Sequence, residues 1–218
     1  MDNMLSKEQR ITAAAEAIFA KHGFERATVD EIIALADVGK GTVYKYFGNK
    51  EQLFYQLVLK KNQLLVERLD AAVTHSQDYE QKMIAFFTEM IKFYKENASL
   101  WQIIYFEMLG SSNGCMVNTV NGLPVVISRY ETTPSEAEKE PLIRYHNILE
   151  SEFCFLQQIL KEATEDGSFK NGDPEVATKF LFFGVAMCLF HPHDAVEAMT
   201  PAEMAQITVD RFLNGIRA

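Results

Sequence analysis

Apolar residues recur three or four positions apart along most of the chain, which is the spacing of helices that bury one face. Hydroxyl residues followed three positions later by Gln or Glu mark helix starts, as at Ser6 and Thr28. Glycines mark helix ends, as at Gly23 and Gly48. The pattern predicts an all-α fold with helices over about 7–22, 29–36, 40–47, 50–74, 79–96, 99–109, 142–166, 174–191 and 201–216.

Three segments interrupt this pattern. Glycines and asparagines over 111–122 predict a loop, and the polar run 132–141 predicts a connection. The β-branched residues of 123–130 are typical of a strand, but a lone strand in an all-helical body has nothing to pair with. We therefore predict a short helix there.

The segment 28–50 has the pattern of a helix-turn-helix. Asp37, in the turn, is expected to adopt positive φ, and Gly39 to cap the second helix without a side-chain bond. Lysines, tyrosines and small residues are left for the exposed side of the second helix, as a helix that enters the DNA major groove requires. Six apolar positions are predicted to face a core: Ile32, Ile33, Leu35, Ala36, Val43 and Phe47.

This stretch resembles the DNA-binding helices of the TetR family of bacterial transcriptional regulators, whose pattern is close to Thr...Ile-Ala...Ala-x-Val-x-Lys-Gly-Thr-x-Tyr-x-Tyr-Phe-x-x-Lys. Residues 165–175 also look like the link between the last two large helices of that family. The resemblance implies a three-helix DNA-binding domain over 1–50, joined rigidly through a long fourth helix to a helical ligand-binding and dimerisation domain over 51–218. The chain departs from the pattern at Asp37, where glycine is usual, and at Gly39, where serine or threonine commonly caps.

Carried over position by position, the family pattern implies which residues contact DNA. Thr28 would hold a phosphate at a helix N-terminus, and Lys40 would donate to guanine in the major groove. Gly41 would let the helix backbone come close, while Thr42 and Tyr44 would touch a thymine methyl or a phosphate. The remaining implied contacts are phosphate clamps: Lys45, Tyr46 and Lys50.

The resemblance also implies an effector pocket and a homodimer on a pseudo-palindromic operator. The effector is expected to be small and largely apolar or aromatic, because aromatic and methionine side chains line such pockets readily. The predicted lining residues are Phe86, Phe87, Met90, Trp101, Tyr105, Met108 and Phe153. The predicted interface residues, on the helices over 142–166 and 174–191, are Leu149, Phe153, Leu156, Leu160, Phe180, Gly184 and Met187. The implied function is a repressor that its effector releases from DNA.

The formal net charge of −9 is unevenly distributed along the chain. Residues 1–50 hold seven basic and seven acidic side chains, whereas 51–218 hold fourteen basic and twenty-three acidic ones. From Lys40 to Lys50 there are three lysines and no acid. A locally basic head on an acidic body orients a protein on DNA and discourages non-specific contacts.

The composition argues against several other classes. Three cysteines without metal or redox spacing favour neither a disulfide framework nor a redox site. The first residues do not resemble a secretory signal, and the longest apolar run, Phe180 to Phe190, is too short to span a bilayer. We expect a cytoplasmic protein with no membrane partner and no cofactor.

Two alternative functions stay open at this point. His191 and His193 flank a proline, and a helical enzyme or metal-dependent hydrolase could use them. No second ligand cluster or nucleophile–base spacing supports that reading, and a histidine at a helix C-terminus explains the pair as well. A helical adaptor would use the surface of the helix-turn-helix for protein.

Overall fold

The computed structural model describes residues 5–76, 78–108, 115–120, 123–128, 133–169, 173–190 and 194–214. Most of these residues are helical. The helices are α1 (Lys7–Arg26), α2 (Val29–Ala36), α3 (Lys40–Phe47), α4 (Lys50–Thr74), α5 (Tyr79–Glu96), α6 (Ala98–Gln102), α7 (Glu136–Glu165), α8 (Pro174–Phe190), α9 (Asp194–Glu197) and α10 (Pro201–Asn214). A π-helical segment, Ile103–Met108, follows α6, and two strands, β1 (Cys115–Val120) and β2 (Leu123–Ser128), form a hairpin.

The chain divides into two compact units. The head unit comprises residues 1–63 and 99–145, and the body unit comprises 64–98 and 146–218. Helices α4 and α7 each contribute residues to both. The domain boundary predicted at residue 50 is a different division, and it stays a prediction.

Aromatic rings form the centre of the head unit. Phe54 on α4 meets Phe19 and Phe24 of α1 edge-on, with ring centroids 5.0 and 5.1 Å apart, and all three side chains are buried. Gly23 has φ 74°, so α1 kinks there instead of ending, and Phe24 stacks on Phe19 at 5.9 Å. Because each large ring removes much apolar surface from water, this cluster fixes α1 against α4.

Burial along α2 and α3 agrees with most of the sequence prediction. Ile32, Ala36, Val43 and Phe47 are buried, and Ile33 is half-buried. The prediction for Leu35 was wrong, because its side chain is 56% exposed. Helix α2 packs against α1 and α3, and its fully buried residues are Ile32 and Ala36, whereas Leu35 lies on the outer side.

The predicted short helix over 123–130 was wrong, because residues 123–128 form a strand. Its partner is Cys115–Val120, inside the segment predicted as a loop, and the two run antiparallel with Val120 opposite Leu123. The β-branched residues of β2 favour the extended state. The partner strand that the sequence prediction did not identify is β1, which ends only two residues before β2 begins.

Two helix starts also differ from the prediction. Helix α7 begins at Glu136, within the predicted connection, because the backbone N–H and hydroxyl of Ser135 donate to Glu138 at 2.8 and 2.7 Å. Pro141 therefore lies inside the helix. Helix α6 begins at Ala98, so Ser99 is not its cap.

The body unit has an aromatic core with a buried carboxylate. The Tyr94 hydroxyl on α5 donates to Glu152 of α7 at 2.6 Å, and both side chains are buried. The Tyr94 ring contacts Phe182 and Phe190 of α8, and Phe153 meets Phe182 edge-on at 4.5 Å. Helices α5, α7 and α8 therefore share one core. In the described ranges, every helix is too short or too polar to cross a membrane.

Candidate nucleic-acid interface

Helix α2 begins at a complete capping box. The backbone N–H and hydroxyl of Thr28 donate to Glu31 Oε2 at 3.0 and 2.8 Å, and the Glu31 N–H donates back to Thr28 Oγ1 at 3.2 Å. These bonds from Thr28 hold the pKa of the Glu31 carboxyl below its usual value. Thr28 is exposed, and its predicted phosphate contact, which would compete with Glu31, stays a prediction.

The turn between α2 and α3 depends on Asp37, which adopts the left-handed conformation as predicted, with φ 49° and ψ 56°. Arg10 of α1 supports it: its guanidinium donates to the Asp37 carbonyl at 3.1 Å and lies 3.6 Å from the carboxylate. The sequence did not point to Arg10, because the contact joins residues 27 positions apart.

We expect Asp37→Ala to lower the free energy of unfolding by about 1–2 kcal/mol, because alanine strains more than aspartate in the left-handed region. Asp37→Gly removes the same carboxylate without the steric cost and should change stability much less. Urea denaturation of both variants tests this. If both variants lost the same free energy of unfolding, the loss would come from the missing carboxylate and not from the left-handed backbone conformation.

Helix α3 presents a polar surface at its exposed side. Gly39 caps it without a side-chain hydrogen bond, as predicted. Gly41 is exposed, and a Cβ placed there would meet no heavy atom within 4 Å. Thr42 is half-buried, and Tyr44, Lys45 and Tyr46 are exposed. The predicted contact residues of α3 are therefore accessible, and their contacts to DNA stay predictions.

Lys40, the predicted base reader, is held by a carboxylate across the turn. Its Nζ lies 3.2 Å from Asp30 Oδ1, and both side chains are mostly exposed. An exposed ion pair of this kind contributes about 0–1 kcal/mol, so DNA can displace the carboxylate. The sequence reading missed Asp30, because only the fold brings α2 and α3 together at this point.

We expect Lys40→Ala to weaken operator binding by about 1–3 kcal/mol and to relax base preference at one position. Lys45→Ala should weaken cognate and random DNA alike and lower the slope of the salt dependence by about one unit. Anisotropy titrations of both duplexes over a salt series measure these effects. If Lys40→Ala lowered affinity equally for the cognate and the random duplex, Lys40 would be a phosphate contact and not a base contact.

Lys50, predicted as a phosphate clamp, has three partners inside the protein. Its Nζ donates to the carbonyls of Phe24, Glu25 and Ala27 at 2.9, 3.3 and 3.3 Å and lies 4.4 Å from the centroid of the Phe24 ring. An ammonium has three N–H donors, so a phosphate would have to displace one of these carbonyls. The observed geometry ties the end of α1 to the start of α4.

The predicted dimer residues fall into two groups. Phe180, Gly184 and Met187 are exposed, as an interface requires. They belong to an apolar surface of α8, here called the α8 stripe, formed by Val176, Phe180, Phe183, Gly184, Met187 and Cys188. The predicted residues of α7 are instead buried within the protomer and offer a partner no surface: Leu149, Phe153, Leu156 and Leu160.

The seven predicted effector-lining residues divide between the two units, and most of them are buried. In the body unit, Phe86, Phe87, Met90 and Phe153 are buried. In the head unit, Trp101 is buried and Tyr105 is half-buried, whereas the Met108 side chain lies outside the description. Two body-unit cavities, of about 400 and 510 Å³, are lined by other residues. The pocket stays a prediction.

His191 and His193 lie outside the described residues. Within the described part of the chain, no group of three His, Cys, Asp or Glu side chains is arranged to hold a metal ion.

Comparison with known proteins supports the assignment of residues 28–50 as a helix-turn-helix. Residues 11–57 match the family model described as bacterial regulatory proteins, tetR family. The fatty acid metabolism regulator protein of Bacillus subtilis is 26% identical over 177 residues, which is 81% of this chain and 78% of that relative. The probable acrEF/envCD operon repressor of Escherichia coli K12 is 32% identical over 106 residues, and this chain spans about half of its length.

The solved structures show the same fold. The transcriptional regulator FadR from Bacillus subtilis, crystallised in complex with stearoyl-CoA, superposes with a TM-score of 0.73 at 19% identity over 95% of this chain and 98% of that one. The relatives and the fold are those of transcriptional regulators, not of enzymes. Residues 11–57 are those of the TetR family of bacterial transcriptional regulators, and the chain as a whole is similar to regulators of that family and shares their fold.

Proposed function

We propose that this protein is a homodimeric repressor that acts on DNA in the cytoplasm, binds a pseudo-palindromic operator and is released by a largely apolar effector. The observation that carries the proposal is the exposed side of α3, where Lys40 and Lys45 stand with tyrosines and no acidic residue of the same helix. When α3 enters the major groove, Lys40 donates to guanine, and the tyrosines and Lys45 contact the phosphate backbone of the DNA.

The α8 stripe supports the homodimer. Helix α8 is apolar on two sides: one side packs inside the protomer through Leu181, Phe182 and Val185, and the other carries the stripe, with Phe180 78% exposed. A helix that is apolar all round is normally covered on every side. A Cβ placed at Gly184 would meet nothing within 4 Å, so a partner helix has room to approach there.

Specificity also favours a dimer. One short recognition helix reads only a few base pairs, which is too few to find one site in a genome. Two heads related by a two-fold axis double the site and make it pseudo-palindromic. We therefore retain the exposed α8 residues as the interface and remove the four buried α7 residues from it.

A long-chain acyl-CoA is the first effector to test. The Bacillus subtilis FadR, which shares this fold, was crystallised with stearoyl-CoA, and the relative that covers most of this chain is a fatty acid metabolism regulator. The many buried aromatic and methionine side chains of α5 are suited to an apolar chain. Release requires the effector to prefer the non-binding state, and a shift from 1:99 to 99:1 needs about 5.5 kcal/mol of preference.

A DNA titration with and without stearoyl-CoA tests the proposal. We expect the protein to shift a duplex from the region upstream of its own gene, and stearoyl-CoA but not free CoA to release it. Native mass spectrometry reports binding of the ligand independently. If stearoyl-CoA binds and operator affinity is unchanged, release by this ligand is wrong although DNA binding stands; if no duplex is shifted, the repressor proposal itself fails.

A further inference from the structure

Helix α7 begins inside the head unit and packs there on the start of α4. Tyr145 is buried, and the centroid of its ring lies 6.2 Å from the ring centroids of both Phe54 and Tyr55. Phe54 is the ring that meets α1 at the centre of the head unit. Residues 136–145 of α7 therefore belong to the same packed unit as the helix-turn-helix, about ninety positions away in the sequence.

Arg144 supplies the polar part of this contact. Its guanidinium carbon lies 5.1 Å from the centroid of the Tyr55 ring. With the side-chain amide of Gln52 oriented so that its oxygen faces α7, Arg144 donates to that oxygen from both terminal nitrogens, at 2.9 and 3.3 Å. Glu140, one turn earlier on α7, pairs with the same guanidinium. A planar guanidinium can stack on a ring and donate from two nitrogens at once, which a lysine ammonium does not reproduce.

Gln52 connects this contact to the turn between α3 and α4. The Gln52 backbone N–H donates to Asn49 Oδ1 at 2.7 Å, and the Asn49 N–H donates to the Phe47 carbonyl at 2.9 Å. The turn is short, since Gly48 and Asn49 alone separate the two helices. Because these bonds restrict the turn, the direction of α3 follows the orientation of the first turn of α4.

We propose that Arg144 is a positioning residue for DNA recognition: it holds Gln52 and Tyr55 at the start of α4 and thereby sets the direction of α3. The match to the family model ends at residue 57, so this assignment adds a distant residue to the DNA-binding machinery.

The continuity of α7 gives this contact a second consequence. The helix runs on to Glu165, and from residue 146 it belongs to the body unit, which carries the α8 stripe. In the homodimer of the proposed function, on which this step rests, Arg144 would tie each recognition helix to the subunit that pairs through α8. It would therefore help to fix the separation of the two recognition helices, which has to match the DNA repeat.

Two other roles explain the contacts less well. An ion pair between Arg144 and Glu140 on one helix contributes little to stability and needs no contact with α4. A DNA phosphate bound by Arg144 would compete with the Glu140 carboxylate for the same guanidinium. The contacts with Gln52 and Tyr55 instead join two helices, as a positioning role requires.

Operators with altered spacing test the proposal. One base pair inserted between the half-sites found by footprinting turns the second half-site by about 34°. The native protein should prefer the natural spacing by about tenfold. Arg144→Ala and Gln52→Ala should each lower that ratio to about threefold or less, and the double variant should lower it no further. Arg144→Lys should behave like Arg144→Ala, because lysine keeps the charge without the planar fork.

Lys139→Gln is the matched control, because Lys139 is a cation of the same part of α7 whose partner, Glu136, lies on that helix. It should keep the native ratio. A general loss of stability lowers the affinity for both spacings alike and leaves the ratio unchanged, so the ratio reports on positioning. Circular dichroism and melting temperature verify that each variant is folded.

The salt dependence of operator binding separates positioning from a direct DNA contact. Arg144→Ala should keep the native slope, because no phosphate contact is lost. A slope lower by about one unit would make Arg144 a phosphate contact, and an unchanged spacing ratio would make it a stabilising residue. Either result overturns the proposal. A native protein that binds both spacings equally would instead contradict the homodimer, and the positioning role with it.

Discussion

Replacing Phe180 by aspartate is expected to convert the dimer to monomers and to lower operator affinity at least a hundredfold. Phe180 is the most exposed large apolar side chain of the α8 stripe, at 78%. Burying an unpaired carboxylate in an apolar interface costs about 3–5 kcal/mol, and two-fold symmetry brings two of them to the same contact. Monomers bind only half-sites, so loss of the dimer also removes the affinity gained from two linked heads.

Sedimentation velocity at micromolar concentration measures the first effect, and anisotropy on the full operator measures the second. Lys179→Gln is the matched control, because Lys179 is an exposed neighbour whose partner is Glu175 on the same helix. It should leave both quantities nearly unchanged. If the Phe180→Asp protein stays dimeric, the interface does not lie on the α8 stripe.

Replacing Lys50 by methionine is expected to destabilise the head unit by about 2–3 kcal/mol. The change removes an ammonium that donates to three carbonyls at the end of α1, and hydrogen bonds to a charged donor contribute about 1.5–3 kcal/mol each without adding fully. Methionine keeps most of the apolar stem against Phe24, so the loss reports on the ammonium.

Amide hydrogen exchange of α1–α4 and urea denaturation measure that loss. Lys45→Met is the matched control, since Lys45 is exposed on α3, and it should leave stability nearly unchanged while weakening DNA binding. If Lys50→Met behaves like Lys45→Met, with lower DNA affinity and unchanged stability, Lys50 acts as a phosphate clamp, as first predicted from the family pattern.

Local signals in the sequence were sufficient for most of the fold. The capping boxes at Ser6 and Thr28 and the positive φ of Asp37 depend on neighbours within a few positions, so the pattern predicts them correctly. The prediction for the hairpin was wrong for the opposite reason. A strand is stable only with a partner, and the partner of Leu123–Ser128 lies in a segment that was predicted to be a loop.

The site was less predictable, because its contacts join distant positions. Lys40 with Asp30, Arg10 with Asp37, and Lys50 with the end of α1 all depend on tertiary packing that no periodicity encodes. The α7 residues were assigned to the dimer for a related reason. A single apolar stripe at helical spacing does not show whether it faces the protomer or a partner, and in α7 it faces the protomer.

A footprint on the region upstream of the protein's own gene tests the central claim most directly. A homodimer that reads DNA with two copies of α3 should protect two similar half-sites in adjacent major grooves, separated by a whole number of turns of about 34–36 Å. Lys40→Ala should lose the protected pattern at concentrations where the native protein shows it. A single unpaired site, or protection spread evenly over unrelated DNA, would contradict the account.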